Sequence, residues 1–400
     1  MCQFQSSLYL QKKSLNPNLT ILNLFFLLLF LAYAILILYY RRGWKMQSVT
    51  DCPDEFIPHT TVSVIIPARN EAENIANCLQ SILGNDYPMD LVEIIVIDDF
   101  STDKTAEFAA GLLKNQGRVL ALKDYLTENE KINAYKKKAL EIAIAEAKGD
   151  MIVTTDADCI CAKSWLRNLV FLHEQKSAQF IAAPVSFFRK NEPAILYYFQ
   201  SLDFMTMQGI TAASIKLKLG NMCNGANLAF EKAAYIKVGG YRGIDHIASG
   251  DDMLLMQKIQ NEYSDKVFYL NNKNAIVKTE IQDTWQNFLN QRIRWSSKND
   301  QYDDKKLVTV LALVYFFNVS LVAQLILGFF NPHYFQLLLV LLITKTLVEL
   351  FFLFPVAVFF DKRRELLFFP LLQPLHIAYI VLTGFLGKFG TYKWKGRKVH

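Results

Sequence analysis

Val62-Ser63-Val64-Ile65-Ile66-Pro67-Ala68-Arg69-Asn70-Glu71 changes character halfway along. Residues 61–67 are apolar and β-branched without alternation, as in a strand buried on both faces, and a polar turn follows the proline. Over 70–83, Ile75, Cys78, Leu79 and Ile82 recur at helical spacing, and 93–97 is a second apolar strand ending in Asp98-Asp99. Strand, helix, strand is the parallel crossover unit, so an α/β fold with a mostly parallel, Rossmann-like sheet is expected. The spacing predicts further helices over 103–113 and 136–147, and a strand over 151–155 that runs into Asp156-Ala157-Asp158. Open parallel sheets bind ligands beyond the carboxyl ends of their strands. Three polar clusters fall at such ends: Arg69-Asn70-Glu71, Asp98-Asp99 and Asp156-Ala157-Asp158.

Outside this block the composition shifts. The 400 residues are 52% hydrophobic and only 20% charged, which excludes a disordered chain. The apolar residues cluster in four runs, 19–40, 307–330, 334–360 and 366–386, each long enough to cross about 30 Å of hydrocarbon as helix. The expected organisation is an N-terminal extension (1–18), a transmembrane helix (19–40), a soluble catalytic block (41–306), transmembrane helices at 307–330 and 334–360, a last apolar run (366–386) and a basic tail (387–400). Arg41, Arg42 and Lys45 after the first run favour the soluble block on the cytoplasmic side of an inner (plasma) membrane. Pro370 and Pro374 interrupt the last run, which leaves a full span and a re-entrant or interfacial helix pair both open. Lys345 and Glu349, four apart in 334–360, suit either a packed pair or an intramembrane site.

The formal charge of +6 is not a nucleic-acid signal, because Lys388, Lys393, Lys395, Arg397 and Lys398 all sit in the tail beside a membrane run. No nucleic-acid partner is expected. The six cysteines form no Cys-x-x-Cys pair, so neither a zinc site nor a disulfide framework is indicated. Two carboxylates spaced Asp-x-Asp at a strand end suit a divalent cation, although a solvated acidic turn has the same pattern.

Taken in order, 62–71, then Ile97-Asp98-Asp99, Lys136-Lys137-Lys138-Ala139-Leu140, Thr155-Asp156-Ala157-Asp158, Gly250-Asp251-Asp252 and Gln291-Arg292-Ile293-Arg294-Trp295 resemble the motif series of family 2 glycosyltransferases. The resemblance covers the soluble block and, with its anchors, fits the membrane-bound branch. It implies a GT-A nucleotide-diphospho-sugar transferase fold and an inverting transfer from a nucleotide sugar, helped by Mg2+ or Mn2+, to a lipid or growing glycan.

By the same resemblance, Pro67, Ala68, Arg69, Glu71 and Asp99 would hold the nucleoside, and a carboxylate accepting the imide N–H of uracil gives a uridine preference a physical reason. Lys136 matches the lysine of Gly-Lys-x-x-Ala-Leu, but Tyr135 replaces the glycine, which leaves open which of the three lysines meets the donor. Asp156 would contact the ribose and Asp158 the metal, with Cys159 and Cys161 as packing. Asp252 would be the base and Asp251 a neighbour orienting the site, the alternative for this segment being a helix cap. Gln291, Arg294 and Trp295 carry the Gln-x-x-Arg-Trp signature, with Arg294 on the diphosphate and Trp295 as an apolar floor for a sugar. Gly225-Ala226-Asn227 would line the acceptor side. Tyr197-Tyr198-Phe199 with Phe204, Met205 and Met207 reads as either an interface helix meeting lipid or core packing. Three functions are compared: single transfer to a membrane acceptor, a processive polysaccharide synthase, and a non-catalytic membrane scaffold. Few C-terminal helices speak against the second, and retention of Asp158 and Asp252 against the third.

Overall fold

The computed structural model describes residues 17–127, 132–190, 194–219, 222–247, 250–297, 304–389, 392–394 and 397–399. Most of the N-terminal extension and part of the basic tail lie outside the described residues. The helices are α1 (Pro17–Lys45), α2 (Ile75–Leu83), α3 (Thr105–Leu113), α4 (Tyr135–Glu146), α5 (Trp165–Lys176), α6 (Ala194–Leu217), α7 (Lys232–Lys237), α8 (Met253–Glu262), α9 (Trp285–Ser296), α10 (Lys305–Gly328), α11 (His333–Phe359) and α12 (Phe369–Phe389). The strands are β1 (Val62–Ala68), β2 (Val92–Asp98), β3 (Gly117–Ala121), β4 (Met151–Thr154), β5 (Phe180–Ala182), β6 (Val185–Phe187), β7 (Leu228–Glu231), β8 (Val267–Tyr269) and β9 (Val277–Thr279), with a tail hairpin of Tyr392–Trp394 and Arg397–Val399.

Seven strands form one sheet in the order β3-β2-β1-β4-β7-β5-β8, in which β7 alone runs antiparallel to its neighbours. Val62, Val64, Ile65 and Ile66 are fully buried, as the unbroken apolar run requires of a central strand covered on both faces. Pro67 does not end β1, which pairs through Ala68 with Asp98. Ile65 accepts from the Thr155 N–H, and Pro67, two residues on, faces the same way beyond the end of β4, where no ladder bond is lost. The helix expected from residue 70 begins at Ile75, because Asn70 has φ +52° and cannot be helical.

Four segments are long and apolar enough to cross a membrane: Ile21–Lys45, Lys305–Gly328, His333–Phe359 and Arg363–Gly387. In place of a proline-broken helix pair, α12 is one helix. Pro370 sits in its first turn, where an N–H has no intrahelical partner in any case, and Pro374 lies inside. Lys345 and Glu349 are buried and ion-paired at 2.7 Å, with Gln373 of α12 and the Tyr33 hydroxyl of α1 completing their hydrogen bonds. A buried charge pair is tolerable when its remaining hydrogen-bond capacity is filled, and here the filling groups tie three membrane-length helices together.

Helix α6 joins the two parts, packing on α1 and α11 as well as on β6 and β8. Gly43 of α1 and Gly209 of α6 mark the close approaches, since a Cβ would come within 2.6 Å of Leu217 and 2.8 Å of Val356 respectively. Tyr197, Phe199, Phe204 and Met205 are buried, so core packing accounts for most of the aromatic stretch.

Candidate active site

The turn after β1 is laced to the loop after β2. Arg69 donates to the carbonyls of Asp99 (2.6 Å) and Phe100 (3.2 Å), the Thr102 N–H donates to Asn70 Oδ1 at 2.8 Å, and the Glu71 N–H donates to Thr105 Oγ1 at 2.8 Å. Left-handed backbone at Asn70 and Phe100 folds both loops back over the strand ends. Asp99 is buried, with Arg69 4.0 Å away.

The three lysines of α4 separate by role. Lys136 Nζ lies 2.7 Å from Asp156 Oδ1 and 3.5 Å from Asp251 Oδ2. Lys137 is buried and donates to the carbonyls of Ile244 and Ile247, holding the loop that leads toward Gly250. Lys138 reaches Glu141 at the surface. Burial alone would lower the Lys136 pKa, but Asp156, Asp251 and Asp252 outweigh it and hold the ammonium above the ordinary lysine value. Tyr135, standing where the motif has glycine, meets Phe100 edge-on at 6.1 Å.

Asp252 caps α8, its Oδ1 accepting the Met253 N–H at 2.7 Å and its Oδ2 the Gly225 N–H at 3.1 Å. The helix-cap alternative is therefore present together with a carboxylate pinned in one orientation, and each oxygen keeps a second lone pair. A Cβ placed on Gly225 would touch Asp251, Lys136 and Asp252, so these groups meet around one point.

The three signature residues of α9 and the strand-end clusters open on a single cavity of about 770 Å³. Pro67, Ala68, Arg69, Glu71, Asp99, Lys136, Asp156, Asp158, Asp252, Gln291, Arg294 and Trp295 all line it, as do Gly225 and Ala226. Asn227 does not. It is fully buried, donating to the Pro184 and Ala275 carbonyls and accepting from the Trp165 indole, and so braces the sheet.

Sequence reasoning missed Arg292. Only 2% exposed, it pairs with Asp203 of α6 at 2.9 Å, and its guanidinium lies over the Trp295 ring at 4.2 Å. His376 of α12 approaches the other Asp203 oxygen at 3.5 Å. Burial pushes the Asp203 carboxyl pKa up, but Arg292 and His376 overcome this and hold it below the ordinary value. The signal was available: Asp203 is the only charged residue within the otherwise apolar stretch 194–215, and a lone acid there demands a buried cation.

Among the described residues no cluster of three or more His, Cys, Asp or Glu side chains could hold a metal. Burial pushes the Cys161 thiol up to about 12 and raises Cys159 as well, which favours the protonated thiol at both. What remains at the β4 end is carboxylate oxygen from Asp156 and Asp158. That donor set fits a hard divalent cation completed by phosphate oxygens and water.

Residues 63–237 match the pattern of Glycosyl transferase family 2, and 151–381 that of Glycosyl transferase family group 2. Glycosyltransferase AglE of Haloferax volcanii is 28% identical over 192 residues, 48% of this chain and 59% of that protein. The poly-beta-1,6-N-acetyl-D-glucosamine synthase of Staphylococcus aureus is 26% identical over 181 residues, 44% of this chain and 41% of the other. The chain thus spans only part of the length of either relative. Among solved structures, the mannosyltransferase PcManGT from Pyrobaculum calidifontis, in complex with GDP-Man and Mn2+, superposes with a TM-score of 0.55 at 20% identity over 89% of this chain and 99% of that one. At that identity the likeness concerns the fold.

Proposed function

Because the chain belongs to the family 2 glycosyltransferases, we propose that it moves one sugar, with inversion, from a nucleotide-sugar donor to a hydroxyl of a membrane-associated acceptor. The observation that carries this reading is the one cavity shared by the carboxylates at the β4 end, the capped Asp252 and the α9 signature.

In this reading the turn at Pro67–Glu71 and Asp99 hold the nucleoside, with uridine the favoured base. Arg294 offers the diphosphate a planar cationic partner, and Trp295 is an apolar face for the sugar. A bound Mg2+ or Mn2+, held by Asp158, supplies positive charge to the departing diphosphate. Asp156 orients the ribose while its charge is balanced by Lys136. Asp252 takes the proton of the attacking hydroxyl, which is a poor nucleophile until that proton is removed. Asp251, engaged by Lys136, steadies the same corner.

The test is donor binding and transfer by the purified chain in lipid discs, with a panel of labelled nucleotide sugars and Mn2+. Asp158→Asn is expected to weaken nucleotide binding and to abolish its response to chelator. Unchanged binding and transfer in that variant, with and without chelator, would remove Asp158 from the metal site. A second reading, a processive synthase, is favoured by the likeness to the staphylococcal polymer synthase and by the Gln291-to-Trp295 signature. A small lipid-soluble product supports the first reading, and a long polymer the second.

We further propose that the catalytic block faces the cytoplasm. Asn23 near the start of α1 contacts His333 at 3.0 Å, which puts the α10–α11 turn at the end of the bundle away from Lys45 and the sheet. A cysteine introduced at His333 should react with an impermeant thiol reagent on intact cells. If it labels only after permeabilisation, this orientation is wrong.

A further inference from the structure

The cavity does not stop at the donor groups. Phe204 and Met207 of α6, Leu307 and Leu311 of α10 and Tyr379 of α12 also line it, the last three belonging to membrane-length helices. One cavity is therefore lined both by carboxylates and by apolar side chains of helices long enough to lie among acyl chains.

Two observations define what fits between them. The first is charge: among the described residues, seven carboxylates line the cavity against four basic side chains. Lys136 faces Asp156, Arg69 faces Asp99 and Arg292 faces Asp203. In the reading above a diphosphate donor engages Arg294 and would engage the metal, so a second phosphate would enter a negative site without an added cation.

The second is an orphan. The side-chain oxygen of Gln291, which lines the cavity, is buried and has no hydrogen-bond partner among the described residues. A buried carbonyl oxygen left unpaired costs about 1–3 kcal/mol, and only a donor group satisfies it. A hydroxyl donates. A phosphate dianion offers acceptors alone.

We infer that the acceptor is a membrane lipid whose uncharged headgroup carries two hydroxyls, its chains lying against Leu307, Leu311 and Tyr379, one hydroxyl donating to Gln291 and the other attacking the sugar. This rests on the glycosyl-transfer reading above and narrows its acceptor. In outline, the oxygen of the attacking hydroxyl bonds to the anomeric carbon, the bond from that carbon to the diphosphate breaks with its electron pair leaving on the nucleotide, and the proton of that hydroxyl passes to Asp252 while the other hydroxyl stays on Gln291.

The experiment uses the full chain in phosphatidylcholine discs doped with monoacylglycerol and ceramide, with polyprenyl phosphate, or with neither plus a soluble oligosaccharide. The donor that the panel identifies and Mn2+ are present throughout. Label should enter the neutral lipids about 10- to 100-fold faster than the phosphorylated lipid. Leu311→Trp, which adds bulk to the apolar lining, should cut that transfer by at least about tenfold while calorimetric nucleotide binding holds. Gln291→Met should raise the KM for neutral lipid without changing donor affinity. An enzyme that binds donor but labels the phosphorylated lipid or the oligosaccharide in preference, or labels neither neutral lipid, overturns the inference and leaves the transferase reading standing. Absence of nucleotide binding and of any transfer would remove both.

Discussion

Asp252→Asn should lower single-turnover transfer by about 10² to 10⁴, the usual worth of general-base assistance, with donor affinity close to the parent's. The contrast with Asp158→Asn, which should damage binding and transfer together, separates the base from the group serving the leaving diphosphate. The structure adds a control. Asp252 also accepts from Met253 and Gly225, and an asparagine amide cannot accept from both, so one backbone N–H loses its partner. That loss should cost about 0.5–2 kcal/mol of stability, visible as a lower Tm, and must be measured beside the rate. Product configuration read by NMR closes the argument, since direct displacement with one base inverts the anomeric carbon. Retention, or transfer at the parent rate in the variant, would shift attention to Asp251.

The second large effect concerns Arg292. Arg292→Met should destabilise the protein by about 3–5 kcal/mol, because it leaves the Asp203 carboxylate buried beside only the histidine of α12. Asp203→Leu together with Arg292→Met removes both charges and should recover most of that stability, while Trp295 still loses the guanidinium stacked on it and transfer stays impaired. Thermal unfolding and transfer on the same preparations distinguish the two consequences. If the double variant melts no higher than Arg292→Met, the pair is not what destabilises the single one. The pH dependence has a definite sign. The folded-state pKa of Asp203 lies below its unfolded value, so its contribution is fully present above about pH 4 and fades as pH falls through the depressed value.

Gln291, Arg294 and Trp295 are legible because residue types at a given spacing imply their chemistry, and all three reach the cavity. Arg292, between them, reads as one more basic residue of a polar helix. Its importance comes from Asp203, 89 positions away, and from His376 on α12, and no local pattern encodes a partner brought in by tertiary packing. The three lysines of α4 make the same point: propensity makes all of them helix formers, and only burial against the loop of Ile244 and Ile247 separates Lys137 from Lys136. In the opposite direction, Pro67 reads as a strand terminator and is not, because the neighbouring strand ends first.

By itself the order of residues determined the parallel α/β block, the four membrane-length segments and the acidic strand ends, because hydrophobic period and run length act locally and survive any arrangement of the rest. Tertiary structure alone decided which lysine meets Asp156, that Asn227 braces the sheet instead of lining the cavity, and that Lys345 and Glu349 fasten α11 to α1 and α12. It also decided that Leu307 and Leu311 of α10 and Tyr379 of α12 line the same cavity as those carboxylates. Each of these depends on which buried charge or amide finds a partner, and such groups are paired only after distant elements have packed, when leaving them unpaired would cost more than the pairing.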